Sequence, residues 1–170
     1  FTWLPSLLVK QGYSIVQSFE YVLVMILAQL PGYIAAAWLV EKLGRKWTLA
    51  GFIGLCAVSA YFFGQANTVT LIMFWGCLMS FFNLGAWGVL YTYTPEQYPT
   101  NIRAFGSGWA SAIGRMGGIV APLVVTQMMV QSNGFHHVFM MFTAVLFAVA
   151  LVILVLGEET KGKTLESLGL

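Results

Sequence analysis

The chain has 170 residues, of which 59% are hydrophobic and only 8% charged, against about 25% charged in an average soluble domain. That excludes a soluble globular domain, and a net charge of +2 with no basic patch gives no footing for nucleic acid. Cys56 and Cys77 both fall inside apolar runs, so neither a disulfide framework nor a metal site is indicated. The composition is that of an all-α polytopic membrane protein whose first partner is the lipid bilayer.

Residues 1–8 are too short to span a bilayer and carry no signal-peptide pattern; lacking an initiator methionine, the chain reads as a piece of a longer one. Residues 10–13 make a polar turn, and Ser14 with Gln17 fits a capping box for the first complete span, 14–40. Glu20 and Gln29 lie nine residues apart on that span and so point to opposite faces. Glu20, near the water boundary, is either an interfacial acid or a proton-coupling group. Gln29, at mid-depth with Tyr33 on its face, serves either a helix-to-helix hydrogen bond or a substrate.

A charged turn, EKLGRK over 41–46, leads into the second span, 47–66, with Gly44 free to turn left-handed. This span is apolar on every side apart from Thr48 and Ser59, which predicts a peripheral, lipid-facing helix. The third span, 69–94, carries Gly76, Ser80, Asn83, Trp87 and Tyr91 in a four-three-four-four rhythm on one face, a mixture that suits a cavity wall. Trp and Tyr also form interfacial belts, but Asn83 and Trp87 lie too deep for that. Pro95 and Pro99 predict a stop near Thr94, and Glu96 and Arg103 flank the turn that follows.

Arg115 is the only charge between positions 104 and 130, the fourth span. At 1.5 Å per residue it lies about 18 Å from Arg103, deeper than a side chain easily snorkels. An arginine at the bilayer centre costs between about 3 and 17 kcal/mol, so it requires a partner or a watery cavity. It either clamps helices through an ion pair or carbonyls, or faces a substrate path. Gly108, Ser111, Gly118 and Pro122 share its side, while Phe105, Trp109, Met116, Val120 and Leu123 lie away from it. His136 and His137 sit in the next turn without a carboxylate or cysteine nearby, a solvated pair rather than a metal site. The fifth span, 138–156, has Thr143 as its only polar residue, and 157–170 is a polar tail. Lys42, Arg45, Lys46, Arg103, Lys161 and Lys163 all fall on one side of these spans, Lys10 on the other, which predicts that the first side is cytoplasmic.

The loops carry a family resemblance. Residues 37–46, AWLVEKLGRK, resemble the loop motif of the major facilitator superfamily: Gly, three residues, Asp, a basic residue, any residue, Gly and two basic residues. Ala37 replaces the glycine and Glu41 the aspartate. Residues 95–103, PEQYPTNIR, are similar to the segment joining the tenth and eleventh helices in the sugar-porter, organic-ion and synaptic-vesicle branches. Residues 158–162, EETKG, resemble the Pro-Glu-Thr-Lys-Gly tail after their last helix, with Glu158 in place of proline.

The resemblance implies that the chain runs from the end of helix seven through helix twelve, the first half of the fold being missing. It implies ion pairs among Glu41, Arg45, Glu96, Arg103 and Glu159 that close a cytoplasmic gate, with a midplane site between two rocking halves. The GRMGGIVAP run around Arg115 resembles the eleventh helix of organic-anion, niacin and aromatic-acid carriers. Arg115, Trp87, Tyr91, Asn83 and Gln29 then become the substrate-binding set for proton-driven transport of a small aromatic carboxylate such as nicotinate, with Glu20 a candidate coupling group beside any carboxylate of the missing half. A sugar or polyol porter, or a sensor or scaffold that does not transport, are the alternatives. No nucleophile-base pair, metal-ligand spacing or phosphate loop points to an enzyme, and no cofactor is expected.

Overall fold

The computed structural model describes residues 4–10, 12–130 and 134–162. Among them it contains seven helices: α1 (Leu4–Lys10), α2 (Ile15–Leu27), α3 (Gln29–Leu43), α4 (Arg45–Gly64), α5 (Val69–Glu96), α6 (Arg103–Met129) and α7 (Gly134–Leu156). Five stretches are long and apolar enough to cross a membrane, α2 and α3 together forming the first.

The capping box at the start of α2 is present: Ser14 Oγ accepts from the Gln17 N–H at 3.2 Å, and Gln17 Oε1 accepts from the Ser14 N–H. The first span, expected over 14–40, runs over Ile15–Leu43 as one apolar stretch, with its helix broken at Ala28 into α2 and α3. Pro31 supplies the reason. It has no N–H to offer the carbonyl of Leu27, and its ring crowds that same carbonyl. At α5 the helix passes through Pro95 and ends at Glu96 rather than stopping near Thr94, since a proline in the last turn removes only one hydrogen bond.

Two clusters form the core. One joins Leu4, Leu8, Val22, Met25, Ala60, Phe63, Ile72, Phe135 and Phe139; the other, nearer the charged end, joins Ala36, Leu49, Phe52, Ile53, Ala86, Val89, Tyr93 and Ala150. Both run through α4, which packs along α5 and α7, while α3 lies along α5. The α3–α5 contact is backbone to backbone. A Cβ on Gly32 would stand 2.2 Å from the Phe81 carbonyl oxygen, so only glycine allows this approach.

The expectation that the second span is peripheral is wrong. Over half of the α4 window, 56%, is buried, more than in any other span. Uniform apolarity fits lipid and packed helices equally well, and periodicity cannot separate them. The buried Ser59 hydroxyl is satisfied inside α4 by the Leu55 carbonyl at 2.8 Å. On α7, Thr143 bonds the Phe139 carbonyl at 2.8 Å, with the Ala57 carbonyl of α4 at 3.3 Å. Its opposite face leaves Leu151, Val152 and Val155 exposed, as a lipid-facing helix would.

Helix α6 differs from the rest, with only 6% of its window buried. It is held near its ends. Tyr98 packs against Gly106 at one, and Met129 joins the first core cluster at the other.

Candidate functional site: a charged latch and an open mid-membrane face

At the charged end, three segments converge on the start of α4. Gly44 turns the chain with φ +97° and ψ 173° and has no side chain to cap the helix that follows. The cap comes from the tail instead: Glu159 Oε1 accepts from the Arg45 N–H at 3.0 Å and from the Lys161 N–H at 3.0 Å. A carboxylate there also meets the positive end of the α4 dipole. The Arg45 guanidinium turns away to Glu96, Nε to Oε2 at 3.4 Å, and the same Glu96 oxygen accepts from the Thr160 hydroxyl.

The tail is fixed further by hydrogen bonds to neutral backbone carbonyls. Tyr93 donates to the Glu158 carbonyl at 2.8 Å, Gln97 Nε2 donates to it at 3.2 Å, and Lys161 Nζ reaches the Lys42 carbonyl at 2.6 Å. Arg103 Nε donates to the Pro95 carbonyl at 3.0 Å and so ties the start of α6 to the end of α5. Of the five charges expected to pair, only Arg45 and Glu96 form an ion pair among the described residues. Glu159 holds backbone instead, and Glu41 is exposed, with no partner among the described residues. Tyr93, Gln97, Thr160 and Lys161 were not anticipated as members of this cluster. Gln97, Thr160 and Lys161 stand inside the family motifs and Tyr93 just before one, but contacts across more than sixty positions leave no local signal.

The mid-membrane residues lie on faces that the chain leaves open. Counting helical rise from the charged ends, Gln29 lies about 21 Å from Leu43, Asn83 about 20 Å from Glu96 and Arg115 about 18 Å from Arg103. Gln29 and Asn83 are partly buried, whereas Trp87, Tyr91 and Arg115 are exposed. Trp87 and Tyr91 form a pair, with ring centroids 5.3 Å apart and planes tilted by 40°. Arg115 makes no hydrogen bond or ion pair among the described residues, so neither an ion pair nor a carbonyl clamp within them occupies it. Glu20 is exposed on α2, likewise without an ion pair among them.

The predicted stripe on α5 divides. Gly76 is buried against Met25 and Phe63, and Ser80 is fully buried; neither lines an open face. Asn83, Trp87 and Tyr91 remain on the open side. Met25 of α2 and Phe63 of α4 close over Gly76, long-range packing that a face-by-face count along one helix cannot register. Chemically, the exposed and half-buried faces of α3, α5 and α6 offer between them one permanent cation, two amides and an aromatic pair. His136 and His137 stand at the start of α7 with ring centroids 6.2 Å apart, and no group of three metal-ligating side chains occurs among the described residues.

The Major Facilitator Superfamily profile matches residues 1–169. The chain is 83% identical over all of its length to "Niacin transporter NiaP" of Acinetobacter baylyi, and 57% identical over 98% of it to "Putative niacin/nicotinamide transporter NiaP" of Bacillus subtilis. It is 32% identical over 82% of its length to "Synaptic vesicle 2-related protein" of Rattus norvegicus. These alignments cover 39%, 42% and 25% of the respective relatives, so the chain spans about two fifths of the two bacterial proteins. The chain belongs to the Major Facilitator Superfamily, and with five apolar spans it is part of a multi-pass membrane protein.

Proposed function

We propose that the full-length protein is a secondary active transporter that carries a small aromatic carboxylate, nicotinate or a close analogue, by alternating access, with protons as the coupling ion. The observation that carries this reading is Arg115, an arginine exposed at the middle of an apolar helix and unpaired among the described residues. In a low-dielectric cavity a guanidinium binds a carboxylate through two parallel hydrogen bonds and discriminates against neutral analogues. The Trp87–Tyr91 pair offers a surface on which a planar ring can stack, and Asn83 and Gln29 supply amides at similar depth. The name of the Acinetobacter relative points to the same acid, and that of the Bacillus relative to the acid and its amide.

In this reading the residues beyond this chain supply the other wall of the cavity, and the charged end faces the cytoplasm, following the excess of Lys and Arg there. The latch around Glu159, Arg45 and Glu96 works within one half of the protein. It holds the ends of α4 and α5 and the tail together as a rigid body while the halves rock. Glu20 is the coupling carboxylate on the described helices. The test is uptake by the full-length protein in vesicles, with labelled nicotinate or labelled glucose, with and without an inward proton gradient. Gradient-driven nicotinate uptake supports the reading. Glucose uptake without nicotinate uptake overturns it in favour of a sugar porter, and binding without flux reduces the protein to a sensor.

A further inference from the structure

Tyr33 is a deep, half-exposed polar residue that the substrate-binding set omits. It follows Gly32, whose backbone contact with the Phe81 carbonyl fixes α3 against α5. Its ring rests on a second glycine of α5: a Cβ on Gly88 would lie 3.2 Å from Tyr33 Cε2 and Cζ and 3.6 Å from its hydroxyl oxygen. The ring is therefore braced from behind, yet it is 50% exposed, much as Trp87 is at 49%. Around α5, at about 100° per residue, Tyr91 lies between Trp87 and Gly88. Tyr33, Tyr91 and Trp87 thus follow one another around the same side of the bundle, with Gln29 one turn from Tyr33 on α3.

The hydroxyl carries the argument further. It has no hydrogen-bond partner among the described residues, although it lies about 15 Å from the Leu43 end of α3. A phenol at such depth normally finds an acceptor, because hydrocarbon offers none. Tyr91 sits about 8 Å from the end of α5, within easier reach of water. Tyr33 and Trp87 share a level close to that of Arg115, and of the two only Tyr33 has its ring seated against a glycine of another helix. A planar acid anchored by its carboxylate on Arg115 and stacked by Trp87 and Tyr91 has its ring edge left to be read. A pyridine-type nitrogen there is an acceptor; a benzene C–H is not.

We propose that the Tyr33 hydroxyl donates a hydrogen bond to a ring nitrogen of the transported acid and so selects heteroaromatic over carbocyclic carboxylates. The inference rests on the transport reading above, and the experiment separates the two. Full-length protein in proteoliposomes is assayed for labelled nicotinate uptake, with unlabelled nicotinate and benzoate as competitors, for the wild type, Tyr33→Phe and Gly88→Ala. The wild type takes up nicotinate and prefers it to benzoate. Tyr33→Phe keeps the ring and its seat, so its apparent affinity for nicotinate falls roughly three- to tenfold, as expected for one neutral hydrogen bond. Inhibition by benzoate is unchanged, so the preference collapses. Gly88→Ala puts a Cβ 3.2 Å from Tyr33 Cε2 and Cζ, which requires the ring to give by a few tenths of an ångström; an unchanged nicotinate-to-benzoate ratio in it, alongside a collapsed ratio in Tyr33→Phe, assigns the selectivity to the hydroxyl itself. If the wild type transports nicotinate and Tyr33→Phe leaves the nicotinate-to-benzoate ratio intact, the role of Tyr33 is overturned and the transport reading stands. If the wild type does not transport nicotinate at all, both fall.

Discussion

Replacing Gly44 by alanine tests the latch at its tightest point. Two penalties add at this residue. The backbone sits at φ +97° and ψ 173°, a region open to glycine and strained by about 1–3 kcal/mol for other residues. The new Cβ would also lie 2.5–2.6 Å from all three atoms of the Glu159 carboxylate group. That carboxylate must move, and the Arg45 and Lys161 N–H groups lose their acceptor. A hydrogen bond to a charged group contributes about 1.5–3 kcal/mol, and the partial exposure of Glu159 argues for the lower end. Together the substitution destabilises the charged end by about 2–5 kcal/mol.

The assay is the apparent melting temperature of the full-length protein in detergent, for Gly44→Ala, Glu159→Ala and the double variant. The expected fall for Gly44→Ala is roughly 2–5 °C, at about 1 °C per kcal/mol for a protein some two and a half times the length of this chain. The double variant separates the two penalties. With the carboxylate already gone, Gly44→Ala adds only the backbone strain, so its effect is smaller than in the wild type. Equal effects in both backgrounds, or a melting temperature within 1 °C of wild type, refute the reasoning.

Other substitutions probe other links. The Arg45–Glu96 pair is partly exposed, at 30% and 20% for the two side chains, so a double-mutant cycle of Arg45→Ala and Glu96→Gln should give a coupling of about 1 kcal/mol or less. Gly32→Leu forces a side chain against the Phe81 carbonyl and separates α3 from α5; a folded yield equal to wild type by size-exclusion chromatography would contradict that packing. Trp87→Ala removes one ring of the pair and should raise the KM for nicotinate roughly three- to tenfold, with Trp87→Phe recovering most of it in the same uptake assay.

What the sequence disclosed, and what it withheld, follows from the range of the interactions concerned. The capping box at Ser14 and Gln17 was legible because both partners lie within one turn. The class of protein was legible because apolar composition is imposed by the solvent, and the family because its loop motifs are short and contiguous. Pro31 was equally visible and its break at Ala28 went unread, since prolines occur in membrane helices and only the packing decides whether the helix yields. The burial of α4 was hidden by the likeness of lipid and protein interiors. On α5, Gly76 and Ser80 share a face with Trp87 and Tyr91, but Met25 and Phe63 from other helices close over Gly76 while Trp87 and Tyr91 stay exposed. The charged latch was half legible: its residue types stood in the motifs, but the preference of Glu159 for a helix N-terminus over a guanidinium depends on the turn at Gly44 bringing that terminus beneath the tail.

The most direct test of the account is the ratio of nicotinate to nicotinamide transport by the full-length protein with and without Arg115. The two molecules share a ring and differ in charge, so the ratio reads the guanidinium-carboxylate contact alone. The account predicts that the wild type favours nicotinate and that Arg115→Ala reduces the preference by about 10- to 100-fold, the worth of a charge-assisted contact, with Arg115→Lys restoring only part of it. A preference unchanged in Arg115→Ala would contradict the account and leave that arginine a structural residue of α6.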